Sequence, residues 1–182
     1  MPLFKEELRH FVSTVLDEDI GSGDLTTLAT IPADATLKAE MNARETMVIA
    51  GIEIAAKIIH TVDSAIMIEI LAQDGTEVTP GNVIMRLEGN ARNILTAERA
   101  ALNILQHLSG IATLTRQYVR EIEHTDCRLL DTRKTIPMLR KLAKYAARMG
   151  GAMNHRTRLD DGILIKDNHI ASLGSVRKAV QA

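Results

Sequence analysis

The chain has 182 residues, 46% of them hydrophobic, and a formal net charge of −1: enough apolar mass for a buried core in one large or two small domains, and too much for disorder. Aromatic residues make up only 2% with no Trp, which argues against base stacking or aromatic cages, and a single cysteine excludes an internal disulfide. No apolar run approaches ~20 residues and acids interrupt the N-terminal apolar positions, so neither a membrane span nor a signal peptide is expected, and the expected setting is the cytoplasm.

The near-neutral balance conceals two electrostatically opposed parts. Residues 126–182 hold twelve Lys+Arg against five Asp+Glu, whereas residues 1–125 hold ten against eighteen. A basic face of this kind can serve nucleic acid, an anionic metabolite or an acidic partner, and it makes self-association of acidic against basic part a simple expectation.

In chain order, Leu3, Phe4, Leu8, Phe11, Val12, Val15 and Leu16 recur at helical spacing and predict a packing helix over 3–16, with His10 on its solvated side. Gly21 and Gly23 break the period, and Asp24 reads as a turn or cap residue. From Leu37 to Leu87 the pattern becomes β-like. Residues 38–43 alternate, 47–50 form a buried run ending at Gly51, 52–60 read as a short helix, and 66–71 and 83–87 as strands. Asp74-Gly75 and Pro80-Gly81 are turns. Such short strands resemble the hairpins of lipoyl- and biotinyl-carrier domains, but neither turn offers a lysine to modify, so the likeness is structural only. His60 reads as a helix-end residue rather than a ligand.

Residues 91–109 form the clearest helix, with Ile94, Ala97, Ala101, Ile104, Leu105 and Leu108 on one stripe. Arg99 falls on the opposite side between Leu95 and Leu102, a face that reads either as solvated or as covered by another element or subunit. Gly110 is expected to end this helix, a second one following over 111–123, and the domain boundary is placed there.

In the basic part, 128–130 and 162–165 are expected as short strands, each ending in cations. Between them Pro137 suits a first helical turn, and Leu139, Leu142, Ala143, Ala146 and Met149 keep the helical period up to Gly150-Gly151. A further helix starts at Ser175. The β-α-β-α order implies parallel pairing, and ligands of such folds sit at the C-terminal ends of strands. Arg133, Lys134, His155, Arg156, Lys166 and His169 gather there, and Asp131 is close enough to orient one of them. Guanidinium forks match carboxylates, and an ammonium supplies a point charge for phosphate. Ion pairing with Asp160, Asp161 or Asp167 is the structural alternative. Arg140, Lys141, Lys144 and Arg148 read as the wet face of their helix. Cys127 reads as a small apolar residue opening a strand rather than a nucleophile.

The segments ERAALN, LLDTRKTIP, GGAMNHR and LIKDNHI occur in this order, and with the stretch from EDIGSGDLTT to the last residue they resemble the decarboxylating quinolinate phosphoribosyltransferase (nicotinate-nucleotide pyrophosphorylase) family. The fold then expected is α/β: an α+β N-terminal domain with a short-strand sandwich over 1–109, followed over 110–182 by the first part of a parallel α/β barrel. The resemblance implies a pentosyltransferase that makes nicotinate mononucleotide, pyrophosphate and CO₂ from quinolinate and phosphoribosyl pyrophosphate, with Mg²⁺, in NAD biosynthesis. It implies that Arg133, His155, Arg156 and Lys166 surround the dicarboxylate, that Lys134 lies near the phosphoribosyl group, and that Lys134 and Lys166 are the catalytic pair. Arg99 would enter the neighbouring subunit's site, making a homodimer or larger assembly necessary.

Three features depart from the family pattern. Pro137-Met138 stands where Pro-Gly usually opens the helix, and Ala152 interrupts a glycine run. The third is length: barrels of this kind take ~250 residues, so the acidic metal contacts and phosphate loops are expected in later strands. The chain alone is expected to be an inactive fragment with an unpaired apolar edge at Ile163–Ile165. The rival readings are a same-fold paralogue with another ligand, of the molybdenum-transport-associated type, a non-catalytic dimerisation fragment, and a basic RNA-binding module.

Overall fold

The computed structural model describes residues 5–182. Helix α1 (Lys5–Ile20) buries Leu8, Val12 and Leu16, with Phe11 and Val15 packed at the edge of the core, and leaves His10 exposed. Leu3 and Phe4, expected on the same stripe, lie outside the described residues. After the Gly21–Gly23 break a short helix, α2 (Leu25–Thr30), starts on Asp24, whose carboxylate accepts the Thr27 amide at 3.0 Å.

Strands β1 (Thr36–Asn42), β3 (Met67–Ile70) and β5 (Val83–Asn90) form an antiparallel sheet in the order β1-β5-β3. Ala39 and Ile68 both register with Leu87 on the core face. The outer face is a ladder of charge: Arg86 donates to Glu40 at 2.9 Å and Glu69 at 3.2 Å, and Lys38 pairs with Glu88 at 3.0 Å. A second antiparallel pair joins β2 (Met47–Val48) to the two-residue β4 (Glu77–Val78). Helix α3 (Ile52–Val62) packs against the longest helix and against α1, and Ile49, Ile52, Ile54, Ile58, Ile59, Ile66 and Met85 are fully buried at the centre. His60 is a helix-end residue, its Nε2 lying 3.0 Å from the Ile66 carbonyl oxygen.

Helix α4 runs unbroken from Ala91 to Ile122, so Gly110 does not end it. Glycine in a helix interior costs about 1 kcal/mol, and the buried residues Leu108, Ser109 and Ala112 on either side hold the segment to the core. Ser109 Oγ accepts the Ala50 amide at 3.1 Å and Thr113 Oγ1 the Val48 amide at 2.9 Å, so α4 also satisfies polar backbone beside β2.

Helix α5 (Arg140–Met149) lies on α4, with Leu142, Ala146 and Ala147 buried. Arg116 of α4 donates to the carbonyls of Gly150 at 2.9 Å and Met149 at 3.2 Å, capping the C-terminus of α5. Gly150 is required here, because a Cβ would come within 2.5 Å of Thr115. Pro137 precedes the helix rather than opening it: Met138 has φ +69°, a left-handed conformation that cannot belong to an α-helix, so α5 starts after Leu139.

The α/β class holds for the chain, but beyond α4 the two expected strands do not form ladders. Residues 128–130 make a single parallel bridge, Leu130 to Met153. The partner of 128–130 is thus the segment after the Gly150-Gly151 turn, and 162–165 remain without strand pairing; Ile163 is 96% exposed, as the expected apolar edge requires. Cys127 is exposed in non-strand chain, not packed at the start of a strand. Two short helices, α6 (Asp167–Leu173) and α7 (Val176–Gln181), close the described chain. Among the described residues no helix is long and apolar enough to cross a membrane.

Candidate active site

Two segments distant in sequence are zipped together at the parallel bridge. The Met153 amide donates to the Leu129 carbonyl at 2.8 Å, and the Asp131 amide to the Met153 carbonyl at 3.0 Å. This delivers the Asp131 carboxylate to the start of the Asn154–Arg156 loop. Its Oδ1 accepts the His155 amide at 2.8 Å, and its Oδ2 accepts Asn154 Nδ2 at 2.6 Å. Lys144 of α5 reaches the same carboxylate in a buried ion pair. Lys144 is therefore not on the wet face expected for it: only 4% of it is accessible. Asp131 in turn orients this lysine and the 154–155 backbone rather than Arg133 or Lys134. The other expected surface cations of α5 are engaged too: Lys141 pairs with Glu7, Arg140 donates to Thr135 at 3.3 Å and to the Thr157 carbonyl at 3.4 Å, and Arg148 lies over the Tyr145 ring.

His155 Nδ1 accepts the Arg156 amide at 2.8 Å, so the neutral ring carries its proton on Nε2 and can donate it to a ligand. Arg156 spends one guanidinium nitrogen on the Gly162 carbonyl at 2.9 Å, which stabilises the turn leading to 163–165. Its Nε is buried with no partner, and so is the Nε of Arg133. A buried cationic donor left unpaired costs about 1–3 kcal/mol, and these two, in loops joined by the Asp131–His155 bond, are each able to take an acceptor.

Nearby acids do not neutralise these cations. Asp160 pairs with Arg158 at 3.1 Å, and Asp161 accepts the Thr157 amide at 2.8 Å. Among the described residues none of Arg133, Lys134, Arg156 and Lys166 is in an ion pair. Arg156 and His169 line an open cavity of about 620 Å³ whose apolar wall is Ile163–Ile165. Lys134 lines a second cavity of about 280 Å³ with His107, Thr132 and Thr135, at whose floor lies the Asp131–Lys144 pair. Lys166 is exposed at the start of α6, its amide donating to His169 Nδ1 at 2.9 Å. Arg99 stands apart, exposed on α4 between the half-buried Leu95 and Leu102, and no contact within the described residues brings it to the others.

Sequence reasoning missed the Asp131–Lys144–Asn154 network. The signal was present: Lys144 has Ala143 and Ala147 beside it, small residues that leave room for a long side chain to lie against the body of the protein. The family's pattern for a quinolinate phosphoribosyl transferase N-terminal domain matches residues 24–109, and that for its C-terminal domain matches residues 111–182. A probable nicotinate-nucleotide pyrophosphorylase [carboxylating] of Synechocystis is 49% identical over 166 residues, covering 91% of this chain and 56% of its own length. The Mycobacterium leprae nicotinate-nucleotide pyrophosphorylase is 42% identical over 177 residues, covering 96% and 62%. The crystal structure of NadC from Streptococcus pyogenes superposes with a TM-score of 0.93 at 39% identity, covering 98% of this chain and 64% of that one. The chain thus spans less than two thirds of the length of each of these relatives. With both domain patterns matched in order over almost all of it, the chain belongs to the quinolinate phosphoribosyl transferase family.

Proposed function

We propose that the chain serves the reaction in which quinolinate and phosphoribosyl pyrophosphate yield nicotinate mononucleotide, pyrophosphate and CO₂. The observation that carries this reading is the pair of buried, unpartnered guanidinium nitrogens of Arg133 and Arg156, set among unpaired cations in two adjoining loops. A planar dicarboxylate supplies the acceptors they lack, and its two charges match the forks of two arginines. His155 Nε2–H and Lys166 add donors at the edge of the same site. Lys134, with Thr132 and Thr135, suits the phosphoribosyl group.

The chemistry asks these residues for position and charge rather than for proton transfer. The pyridine nitrogen forms a bond to the ribose carbon while the bond to pyrophosphate breaks, the electron pair leaving with pyrophosphate. The pyridinium so formed accepts the electrons released as the adjacent carboxylate departs as CO₂, and the ring carbon then takes a proton. Fixed cations hold both anionic reactants in line and stabilise the departing charge. Mg²⁺ belongs to the same reading, but no residue of this chain is assigned to it: among the described residues no three His, Cys, Asp or Glu side chains converge, and Asp131 and Asp161 are already engaged.

Arg99 is read as a contribution to a second copy's site, supported by its exposed position between two half-buried leucines. A homodimer is the assembly this implies, and the cytoplasm its compartment. Titration calorimetry of the purified chain with quinolinate tests the reading: saturable binding that disappears in Arg156→Met supports it, and no binding, or binding of RNA that falls steeply with salt, overturns it. Sedimentation velocity of Arg99→Ala against the unaltered chain tests the assembly.

A further inference from the structure

The buried ion pair beneath the site has a use the reaction scheme does not assign. We propose that Asp131, held by Lys144 and Asn154, is a positioning residue that sets the peptide at His155–Arg156, and through it the direction of the His155 ring and the Arg156 guanidinium. The inference rests on the reading of this site as an anion-holding one.

The side chains of Lys144 and Asp131 are 5% and 7% accessible. Taking such a pair out of water costs about as much as its attraction returns, so a buried pair is poor evidence for stability by itself. Its geometry is more informative. One carboxylate receives a lysine from α5, a side-chain amide from Asn154 and the backbone amide of His155. Asn154 Nδ2 also reaches the Lys144 carbonyl at 2.9 Å, so the loop is bonded to α5 directly as well as through Asp131. The carboxylate's lone pairs are thereby shared between α5 and the 154–155 loop, and each fixes the other. The peptide leaving His155 is the one whose amide donates to His155 Nδ1. Fixing the His155 amide on Asp131 therefore fixes the ring tautomer one bond further on, and leaves Nε2–H pointing away from its own backbone. The same peptide starts Arg156, whose unpartnered Nε is buried and which lines the open cavity. Asp131 and Lys144 also line the Lys134 cavity, but their bonds run to each other and to the 154–155 loop. They act through His155 and Arg156.

The test uses the full 182-residue chain with two variants. Asp131→Asn combined with Lys144→Met removes both charges and leaves no uncompensated ion in the interior. Asn154→Ala removes both bonds of that side-chain amide, to Asp131 and to the Lys144 carbonyl, at an exposed residue. Nitrogen-15 NMR of the imidazoles reads the His155 tautomer, calorimetry with pyridine-2,3-dicarboxylate reads affinity, and thermal unfolding checks that the fold persists. The expected result is a mixed tautomer at His155 and binding weakened at least tenfold in the double variant, with a smaller loss of both in Asn154→Ala. Unchanged tautomer and affinity in a folded double variant would overturn the inference. Should the double variant fail to fold, Asn154→Ala decides by the same two readouts. Should the unaltered chain bind no dicarboxylate, the proposed function fails, while the tautomer comparison still decides whether Asp131 positions His155.

Discussion

The Tyr145 hydroxyl donates to Asp74 Oδ2 at 2.5 Å, while Asp74 Oδ1 accepts the Ile52 amide at 2.9 Å. One carboxylate thus caps the first turn of α3 and anchors α5 to a turn seventy-one positions earlier in the chain. Burial first, and then this bond, push the Tyr145 phenol above its usual 10.0. Because the folded value is raised, the contribution is complete below pH 10.0 and is lost as the pH rises through the folded value. Tyr145→Phe should cost about 1.5 kcal/mol in urea denaturation at neutral pH, as expected for a hydrogen bond to a charged acceptor. It should also flatten the decline in stability above pH 10.0.

Met138 is the non-glycine residue with positive φ among those described, and its side chain is 96% exposed. Left-handed backbone costs a residue with a Cβ about 1–2 kcal/mol, and no packing is at stake. Met138→Gly should raise stability by about 0.5–1 kcal/mol after the larger entropy of unfolded glycine is deducted. Met138→Ala should leave the denaturation midpoint unchanged, which separates backbone relief from loss of an exposed methionine.

Gly110 offers the reverse case. It is helical, and a Cβ there would meet nothing within 4 Å. Gly110→Ala should stabilise the chain by about 0.5–1 kcal/mol, measured by the same denaturation.

Two carboxylates contribute to the acid limb of the stability profile. Hydrogen bonds from the Asn93 side chain and the Ala65 amide hold Asp63 below its usual 3.8. Bonds from the Thr27 side chain and amide do the same for Asp24. Both folded values are depressed, so the contribution is present above 3.8 and is lost as the pH falls through the folded values. Melting temperature should drop on acidification through this window. The drop should be shallower in Asp63→Asn.

Arg133 should show opposed effects on stability and binding. Its buried Nε has no acceptor in the described structure, so Arg133→Met removes a desolvated donor and should leave stability unchanged or up to about 1 kcal/mol higher. Quinolinate affinity should fall at least tenfold in calorimetry. A variant that lost stability together with binding would place Arg133 in the framework rather than the site.

Much of the fold was legible because its signals are periodic: the stripe of α1, the run of 47–50, the 52–60 helix and the alternation of β1 all follow from spacing. Short elements were not, since α2 and β4 exist through particular hydrogen bonds, the Asp24 cap and the Met47–Val78 pairing, that leave no period. The cations of the site were legible as residue types at loop positions. Their support was not, because a helical wheel sees Lys144 as a charge due for water and cannot see the carboxylate waiting thirteen positions upstream. Nor can spacing tell that 128–130 pairs with Met153 rather than with 162–165, a choice made by the turn at Gly150-Gly151.

The unbroken α4 carries both Arg99 and Arg116, the second of which grips the end of α5. An α-helix advances 1.5 Å per residue, so the two arginines are separated by about 25 Å along one axis. No joint lies between them at which that length or angle could adjust. Inserting one residue near Gly110 would turn Arg99 by about 100° relative to Arg116. The helix therefore works as a ruler with a fixed phase, and any surface that Arg99 meets has its distance and bearing from the His155 loop set in advance.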